Sequence, residues 1–564
     1  MIPSPRRFSA TLLAALVVYF FVVSVTVRSV GLVGEVAIGW ALPTPPTVLV
    51  ALDPPVSGVE ATGLLRAART RPTERLVLPT GGGGTVEVPL AVNAYTGGIA
   101  DWPARIVRAA TGSLAAGLAV HVLLGALLLA LAHRFTALHG SRIAAGAVAA
   151  VLATDWCFVF YRKVLGGTEL LLQAAALLVV WALWSRRWKG GAHGTTALAL
   201  GIGLGLAAKA TFAATLVAYG LAALLTRWDR PATLPPRRVQ LGRLVAIPLL
   251  CVSPLILANV HQYVSPLPSI VSHDTLGLQF GRLWHGWTGP SPAREGLANL
   301  LHFFGNPLAF FADAYGADPV PPVSVLRLVG FSATIAGIAL AWRRPAGRAA
   351  PGDALLRFLS VAVPLQVGLV SLANRDLHHL AQITVPLALL VGLAAERLAA
   401  TVAPPRSLPR ALAAALFVSP LVLAGALHLA DTDRVVGTIA SPSFTEAGQS
   451  ALVGLLREQG VTRLVAVDYE LYGMLEARAP EIAVTHAWGA RSRGKAPPAE
   501  VLKLAEGGWF LSVRASAPML YNWSPDEKKV AAAAADAGVL ATPVGRLTDA
   551  TGDWATLYRV TPAL

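Results

Sequence analysis

Two neighbouring apolar stretches decide the fold of this chain. Residues 153–184 read ATDWCFVFYRKVLGGTELLLQAAALLVVWALW, and residues 197–212 read ALALGIGLGLAAKATF. Five charged residues interrupt these stretches: Asp155, Arg162, Lys163, Glu169 and Lys209. A charge inside or at the edge of a membrane segment costs about 2.5–3.5 kcal/mol on insertion scales, so such residues are usually paired or functional. The two stretches therefore predict membrane helices with a group of functional charges near one membrane face.

The composition indicates a membrane protein. Of the 564 residues, 55% are hydrophobic and 14% are charged, and the mean hydropathy is +0.59. Apolar runs of about 20 residues recur along the chain, and each is long enough to cross a hydrocarbon core of about 30 Å. We therefore predict a polytopic α-helical membrane protein. The net charge of +15 comes from arginines clustered between the apolar runs, which is the positive-inside pattern, so we expect no nucleic-acid partner.

Hydropathy and loop charge together predict about eleven membrane spans. They lie near residues 9–27, 107–131, 143–160, 168–184, 196–208, 210–225, 244–260, 323–342, 354–372, 380–395 and 411–429. Arg6 and Arg7 place the N-terminus in the cytoplasm, and the first span is too long for a signal-peptide core, so we expect an uncleaved anchor. The fifth and sixth spans are short and are also compatible with one broken helix, which would change the count by one.

The same topology divides the chain into two domains. Residues 1–430 form the predicted transmembrane domain, with long outer loops at about 28–106 and 261–322. In residues 431–564 the hydropathy falls to globular values. Strand-like segments at 463–469, 481–486 and 509–515 accompany amphipathic helices at 443–460 and 524–538. This pattern predicts a small extracytoplasmic α/β domain, which we expect to be a scaffold or a docking domain for the acceptor.

The amino-acid composition indicates the expected cellular location. Ala, Gly, Pro and Arg are abundant and Lys is scarce, which favours a GC-rich bacterial source. We therefore expect an integral protein of the bacterial inner (plasma) membrane, with its N-terminus in the cytoplasm and its C-terminal domain in the periplasm or outside the cell.

Four features of the sequence, taken together, resemble a known family. A long outer loop directly follows the first span, and it ends at residues 89–113, PLAVNAYTGGIADWPARIVRAATGS, with Tyr95, small residues and a following arginine. An acid-then-basic stretch ends the third span at residues 153–171, and a Gly-rich helix ends in lysine at residues 203–212. Over about residues 1–430 the chain thus resembles the GT-C glycosyltransferases of the family 39 type, which include protein O-mannosyltransferases and the lipid A aminoarabinose transferase.

The resemblance implies transfer of a sugar, hexosyl or pentosyl, from a polyprenyl-phosphate donor to an acceptor at the outer membrane face. The acceptor is a lipid, a glycan or a protein, and membrane lipids are further partners. The donor's lipid tail needs an apolar groove between spans, and its phosphate needs fixed cations near the interface. The sequence indicates no cofactor, and it leaves a divalent metal open.

The acceptor hydroxyl needs a carboxylate that accepts its proton or orients it. The family has an Asp-Glu pair early in the first outer loop, whereas this chain has Gly34 followed by Glu35. We predict Glu35 as the catalytic carboxylate, with Asp53 and Asp101 as rivals that are also explained by a turn and by a helix entry. Asp155, near the outer end of an apolar helix, is predicted to orient the acceptor or to pair with a cation of the site.

Three cations of the opening stretches are predicted to bind substrate, and so are Asp101 and Tyr95 of the segment before the second span. Lys209 has no acidic neighbour in the sequence, so a donor phosphate is a natural partner for its charge. Arg162 and Lys163 are predicted to bind substrate as well, although snorkelling to the lipid headgroups explains them equally.

A polar turn supplies the remaining candidates. In residues 374–379, Arg375, His378 and His379 are predicted to hold the phosphate head of the donor, or else to cap two helix ends. Two adjacent histidines without a third ligand do not indicate a metal site. The cysteines, Cys157 and Cys251, lie in apolar runs and indicate neither a disulfide framework nor a metal.

Two alternative functions stay open. A catalytically inactive relative, acting as a membrane scaffold or lipid-binding protein, would explain the missing acid pair. A transporter would place its charges and broken helices near the bilayer midplane in matching halves, but the sequence has no internal repeat. Charges gathered at one membrane face therefore favour sugar transfer over transport.

Overall fold

A computed structural model describes most of the chain. The described residues are 9–26, 47–48, 75–79, 85–93, 96–164, 166–189, 192–226, 237–264, 303–314, 318–320, 322–343, 351–373, 380–403, 407–438, 442–466, 469–486, 499–514, 527–550 and 552–563.

The fold is mainly α-helical. The first nine helices are α1 (Ala10–Thr26), α2 (Trp102–Thr111), α3 (Leu114–His139), α4 (Arg142–Thr154), α5 (Trp156–Val164), α6 (Gly166–Lys189), α7 (Ala192–Ala208), α8 (Phe212–Leu225) and α9 (Arg237–Val264). They are followed by α10 (Pro307–Ala314), α11 (Ser324–Trp342), α12 (Pro351–Ala373), α13 (Thr384–Val402), α14 (Ser407–Gly437), α15 (Glu446–Glu458), α16 (Tyr469–Arg478), α17 (Ala499–Leu504) and α18 (Glu527–Asp536). Two short 3₁₀ turns, Gly98–Asp101 and Ala381–Ile383, precede α2 and α13.

The helices form a membrane bundle, as the recurring long apolar runs predict. Among the described residues, seven helices are long and apolar enough to cross a membrane: α3, α6, α9, α11, α12, α13 and α14. Four shorter apolar helices, α1, α4, α7 and α8, occupy positions where the sequence predicts further spans. The polytopic α-helical fold is confirmed, and the count of eleven spans stays a prediction.

Two helix breaks shift the predicted boundaries of the second and third spans. Gly112 adopts a left-handed φ of 67°, which ends α2, and the Ser113 hydroxyl accepts from the Ala116 amide to begin α3. Asp155 is extended, with ψ 122°, and its Oδ1 accepts from the Phe158 amide at 2.8 Å. The predicted third span is therefore two helices, α4 and α5, because an aspartate that caps a new helix ends the previous one.

Glycines bring helix backbones into direct contact on one side of the bundle. A Cβ at Gly337 of α11 would overlap the carbonyl of Ala394 in α13, and a Cβ at Gly425 of α14 would overlap the carbonyl of Thr154 in α4. Close approach of this kind is the usual packing of membrane helices, which lack a hydrophobic driving force for association. These helices thereby form a closely packed block next to the polar residues described below.

Ten strands occur among the described residues. They are β1 (Thr47–Val48), β2 (Arg75–Pro79), β3 (Thr85–Pro89), β4 (Ala91–Asn93), β5 (Thr96–Gly97), β6 (Arg463–Ala466), β7 (Ala483–His486), β8 (Trp509–Val513), β9 (Val539–Asp549) and β10 (Gly552–Pro562). The two antiparallel pairs β2–β3 and β4–β5 belong to the first loop, and the others form one sheet of order β1-β7-β6-β8-β10-β9. In this sheet β1, β7, β6 and β8 are parallel, whereas β8, β10 and β9 are antiparallel neighbours.

The C-terminal sheet confirms the predicted α/β character of this region. The three predicted strands are present as β6, β7 and β8, and the two predicted helices as α15 and α18. The hairpin β9–β10 and the short helices α16 and α17 are additions to the prediction. Helix α14 continues to Gly437, past the expected boundary at residue 430, and the division into two domains stays a prediction.

Candidate functional site

The first loop inserts a short wedge between two membrane helices. This wedge consists of β5 and the turn Gly98–Asp101. A Cβ at Gly97 would overlap the carbonyl of Ala207 at the end of α7, and a Cβ at Gly167, near the start of α6, would overlap the carbonyl of Ala100. Glycine is required at both positions because backbone meets backbone. We call the end of the bundle that receives the wedge the site end.

Asp101 ties this wedge to α6. It occupies the N-cap position of α2, yet its side chain makes no capping hydrogen bond there. Its Oδ1 instead accepts from the Gly167 amide at 3.1 Å, and the same atom lies 3.5 Å from Nε2 of His121. Asp101 and His121 are both buried. The carboxylate therefore caps a different helix from the one that follows it in the sequence, and it stabilises the positive N-terminal end of α6.

A buried ion pair lies two residues further along α6. Lys209 Nζ is 3.5 Å from Glu169 Oε1, and both side chains have no solvent exposure. Glu169 belongs to the first turn of α6, and Lys209 directly follows α7, where its amide donates to the Gly205 carbonyl. The pair therefore joins the start of one helix to the end of the next. Lys209 has no acidic neighbour along the sequence, but the fold places Glu169 beside it.

A ladder of buried hydrogen bonds lies within the bundle. The Tyr219 hydroxyl donates to Gln366 Oε1 at 3.2 Å, Gln366 Nε2 donates to Thr215 Oγ1 at 2.9 Å, and Thr215 Oγ1 donates to Gln382 Oε1 at 3.1 Å. Beside it, Gln173 of α6 donates to the Ala381 carbonyl at 2.7 Å. We call Thr215, Tyr219, Gln366 and Gln382 the polar ladder. It joins α8 and α12 to the turn that precedes α13.

A second buried polar cluster surrounds the break between α4 and α5. Arg327, in the first turn of α11, donates to the carbonyl of Phe304 and, at 3.3 Å, to that of Phe303, so it holds the end of the second long loop. Its charge interacts with that of Asp155. Trp156 Nε1 donates to Thr432 Oγ1 of α14 at 2.9 Å. Asp155 thus has a structural task as a helix cap, in a region that also contains the buried Arg327.

The structure describes only some of the residues that the sequence singles out. Asp101, Asp155 and Lys209 are buried or partly buried at the polar clusters. Arg162 and Lys163 belong to α5, of which the backbone is described at these positions. Glu35, Asp53, Tyr95, Arg375, His378 and His379 lie outside the described residues, so their assigned roles stay predictions.

Sequence reasoning missed several residues of these clusters. Glu169 stood out only as a charge, and His121, Arg327 and the polar ladder were not considered. A usable signal was present, because each is a polar residue within an apolar helical run, where such residues are usually paired or functional. No group of three or more potential metal-binding side chains occurs within the described portion of the chain.

Comparisons with known proteins concern the fold. No family model and no curated protein matches the chain. The structure of ArnT from Cupriavidus metallidurans bound to undecaprenyl phosphate matches with a TM-score of 0.53 at 12% sequence identity, covering 97% of each chain. Its apo structure matches with a TM-score of 0.50 at 12% identity, covering 97% of this chain and 96% of that one. The chain has the GT-C fold.

A weaker match is the oligosaccharyltransferase of Archaeoglobus fulgidus in its apo form. The TM-score is 0.49 at 12% identity, and the match covers 89% of this chain and 69% of that one.

Within the GT-C fold, the described buried charges lie near helix ends. Glu169 and Arg327 belong to first turns, Lys209 directly follows α7, and Asp155 separates α4 from α5. At the opposite end, Arg397 of α13 lies 3.5 Å from Asp353 of α12. Among the described residues, these charges therefore lie at helix ends and breaks.

Proposed function

We propose that this protein is a GT-C glycosyltransferase of the bacterial inner membrane. It transfers a sugar, hexosyl or pentosyl, from a polyprenyl-phosphate donor to an envelope acceptor, which is a lipid, a glycan or a protein, at the outer membrane face. The observation that carries the proposal is the fold match over 97% of both chains to ArnT, a protein whose structure holds undecaprenyl phosphate. The placement of Asp101, Glu169 and Lys209 at one end of the bundle supports it.

The proposed reaction is a single displacement at the sugar. The acceptor hydroxyl oxygen forms a bond to the anomeric carbon, and the bond between that carbon and the phosphate oxygen breaks. Polyprenyl phosphate leaves with the bonding electrons, and the hydroxyl proton passes to a carboxylate. Glu35 is the proposed proton acceptor, and Asp155 is the proposed orienting residue for the acceptor.

The phosphate of the donor requires cations that water does not screen. We propose that the donor phosphate is bound by Lys209, Arg162, Lys163, Arg375, His378 and His379. Asp101 and Tyr95 are proposed to contact the sugar-bearing side of the donor. Because Glu169 already balances Lys209, phosphate binding there would form a three-part cluster in which the ion pair holds the ammonium in position.

The two proposed domains would have different roles. Residues 1–430 would carry the transfer site, and residues 431–564 would form the extracytoplasmic domain. The second candidate, a catalytically inactive relative that binds lipid, is favoured by one observation: Gly34 and Glu35 stand where the family has an acid pair.

The test uses purified wild type and the variants Glu35→Gln and Asp155→Asn. Polyprenyl-phosphate release is measured from a panel of polyprenyl-phosphate sugars, with cell-envelope extract as acceptor, and donor binding is measured in parallel. Glu458→Gln, which changes an exposed carboxylate on α15, is the matched control. The proposal is supported if the wild type shows turnover and Glu35→Gln abolishes it without loss of donor binding. It is also supported if Asp155→Asn abolishes turnover, and the proton acceptor is then Asp155. Donor binding without turnover favours the inactive relative, and absence of donor binding overturns both.

A further inference from the structure

One strand of the C-terminal sheet comes from the opposite end of the chain. β1 pairs in parallel with β7, with Thr47 opposite Thr485 and Val48 opposite His486. β7 would otherwise be the edge strand of this sheet, with an unpaired row of backbone amides and carbonyls. The first loop therefore supplies the strand that covers this edge.

The same loop touches the C-terminal unit a second time, near its other end. Arg108 of α2 donates through Nη2 to the carbonyl of Ala477 at 2.8 Å. Ala477 belongs to the last turn of α16, where carbonyls lack intrahelical donors, so a guanidinium is a suitable partner. Burial lowers the pKa of Arg108 from its ordinary value.

The two contacts with the first loop, at β7 and at Ala477, are made by one compact piece of the C-terminal unit. α16 ends at Arg478 and β7 begins at Ala483. The connection between them is tight, since the Ile482 amide donates to the Ala479 carbonyl at 3.0 Å and both residues are buried. The α16–β7 piece thus holds both the early strand and the final helix of the first loop.

The contact between Arg108 and Ala477 is connected to the site end through α2. α2 runs without interruption from Trp102 to Thr111, so Arg108 and Asp101 lie on one rigid element about 10 Å apart along the axis. Asp101 in turn accepts from the Gly167 amide and so fixes the start of α6. A shift of α2 would therefore move the carboxylate that caps the helix bearing Glu169.

We propose that the C-terminal α/β unit is a positioning element of the transfer site. It holds the first loop at Thr47–Val48 through strand pairing and at Arg108 through the Ala477 carbonyl, and it thereby sets the position of Asp101 against α6. The effect on turnover rests on the proposed function, whereas the coupling itself does not. Arg108 is accordingly a positioning residue.

A cross-link tests the strand pairing without any assay of activity. In a background with Cys157→Ala and Cys251→Ala, the pair Thr47→Cys and Thr485→Cys should form a disulfide, because paired strands lie about 4.8 Å apart, within the range that a disulfide spans. The control pair, Val48→Cys with Ala483→Cys, is offset by about 10 Å along the strands and should not cross-link. Cross-linking that is equal in both pairs, or absent from the first, would overturn the proposal.

Hydrogen exchange then tests the coupling to the site. We expect Arg108→Met to raise amide exchange in residues 96–104 about tenfold, because the variant loses a hydrogen bond from a charged group. We expect the 47–485 disulfide to restore part of this protection. Lys503→Met, at an exposed position of the same unit, is the matched control and should change nothing. Unchanged exchange in Arg108→Met would overturn the coupling, whether or not turnover is ever observed.

Turnover separates positioning from simple stability. We expect Arg108→Met to lower kcat with little change in donor affinity, and the disulfide to return much of the loss. If exchange responds as expected but kcat does not, the C-terminal unit is bound to the loop without positioning the site. If the wild type shows no turnover with any donor, the proposed function fails while the exchange result still decides the coupling.

Discussion

The Lys209 ammonium and the Glu169 carboxylate form an ion pair, 3.5 Å apart and without solvent exposure, between the end of α7 and the start of α6. Removing one partner leaves an uncompensated buried charge, which typically costs about 3–5 kcal/mol. We expect Lys209→Met and Glu169→Gln each to destabilise the protein by this amount, and the double variant to regain most of the loss. Thermal unfolding in detergent measures it.

The exposed pair Lys503–Glu506 offers the matched control, since Lys503→Met should cost less than about 1 kcal/mol. A double variant as unstable as the sum of the single ones would show that the two charges do not stabilise each other. Donor binding separates the two roles of Lys209: if it contacts the donor phosphate, the double variant regains stability but not donor affinity.

The capping of α6 by Asp101 predicts a graded response. Asp101→Asn keeps an oxygen that can accept from the Gly167 amide, whereas Asp101→Ala removes it. We expect Asp101→Ala to lower the free energy of unfolding by about 1–2 kcal/mol, as for other lost caps, and Asp101→Asn to have a smaller effect. Amide exchange at residues 166–170 should rise in the same order. Equal exchange in the two variants would contradict a capping role.

The close backbone contacts of the wedge predict that one added methyl group at Gly97 or Gly167 destabilises the protein. Gly97→Ala and Gly167→Ala place a Cβ against the carbonyls of Ala207 and Ala100, and backbone cannot move aside as a flexible side chain can. We expect a loss of about 1–3 kcal/mol for each, measured as a fall in Tm. Gly220→Ala and Gly368→Ala are the controls, because a Cβ at either helical position meets nothing within 4 Å. A fall in the controls of the same size would show a general effect of glycine replacement.

The polar ladder predicts non-additive losses. Thr215→Val leaves Gln382 Oε1 and Gln366 Nε2 without the hydroxyl that joins them, and Gln366→Leu removes the central amide. We expect each variant to cost about 1–3 kcal/mol, and the double variant to cost clearly less than the sum, because both break the same chain of bonds. Chemical unfolding of the single and double variants measures the cycle. Additivity within about 0.5 kcal/mol would show that the bonds are independent.

The membrane helices were predictable because hydrophobic length decides them. The predicted span 323–342 is α11, Ser324–Trp342, and the predicted span 354–372 lies within α12, Pro351–Ala373. The break at Asp155 was not predicted, since hydropathy continues unchanged through it. Its signal is the capping chemistry of aspartate, which is decided by a hydrogen bond to Phe158 and not by composition.

The partners at the candidate site were not predictable from one sequence. Glu169 lies in α6 and Lys209 directly follows α7, and Asp101 and Gly167 belong to different parts of the chain, so no local pattern joins them. The interpretation of Asp101 as a helix entry was correct for the backbone of α2, but its carboxylate caps α6. Pairing across the fold requires the three-dimensional arrangement of the helices.

The parallel pairing of β1 with β7 has a consequence for biosynthesis. Thr47 and Val48 are made well before β7, which begins at Ala483, so at about 5–20 residues per second the earlier strand waits on the order of tens of seconds for its partner. During that time the bundle inserts, while β1 has no sheet to join. A chain released before Ala483 therefore lacks the strand that β1 covers, and β1 can join the sheet only after β7 has been made.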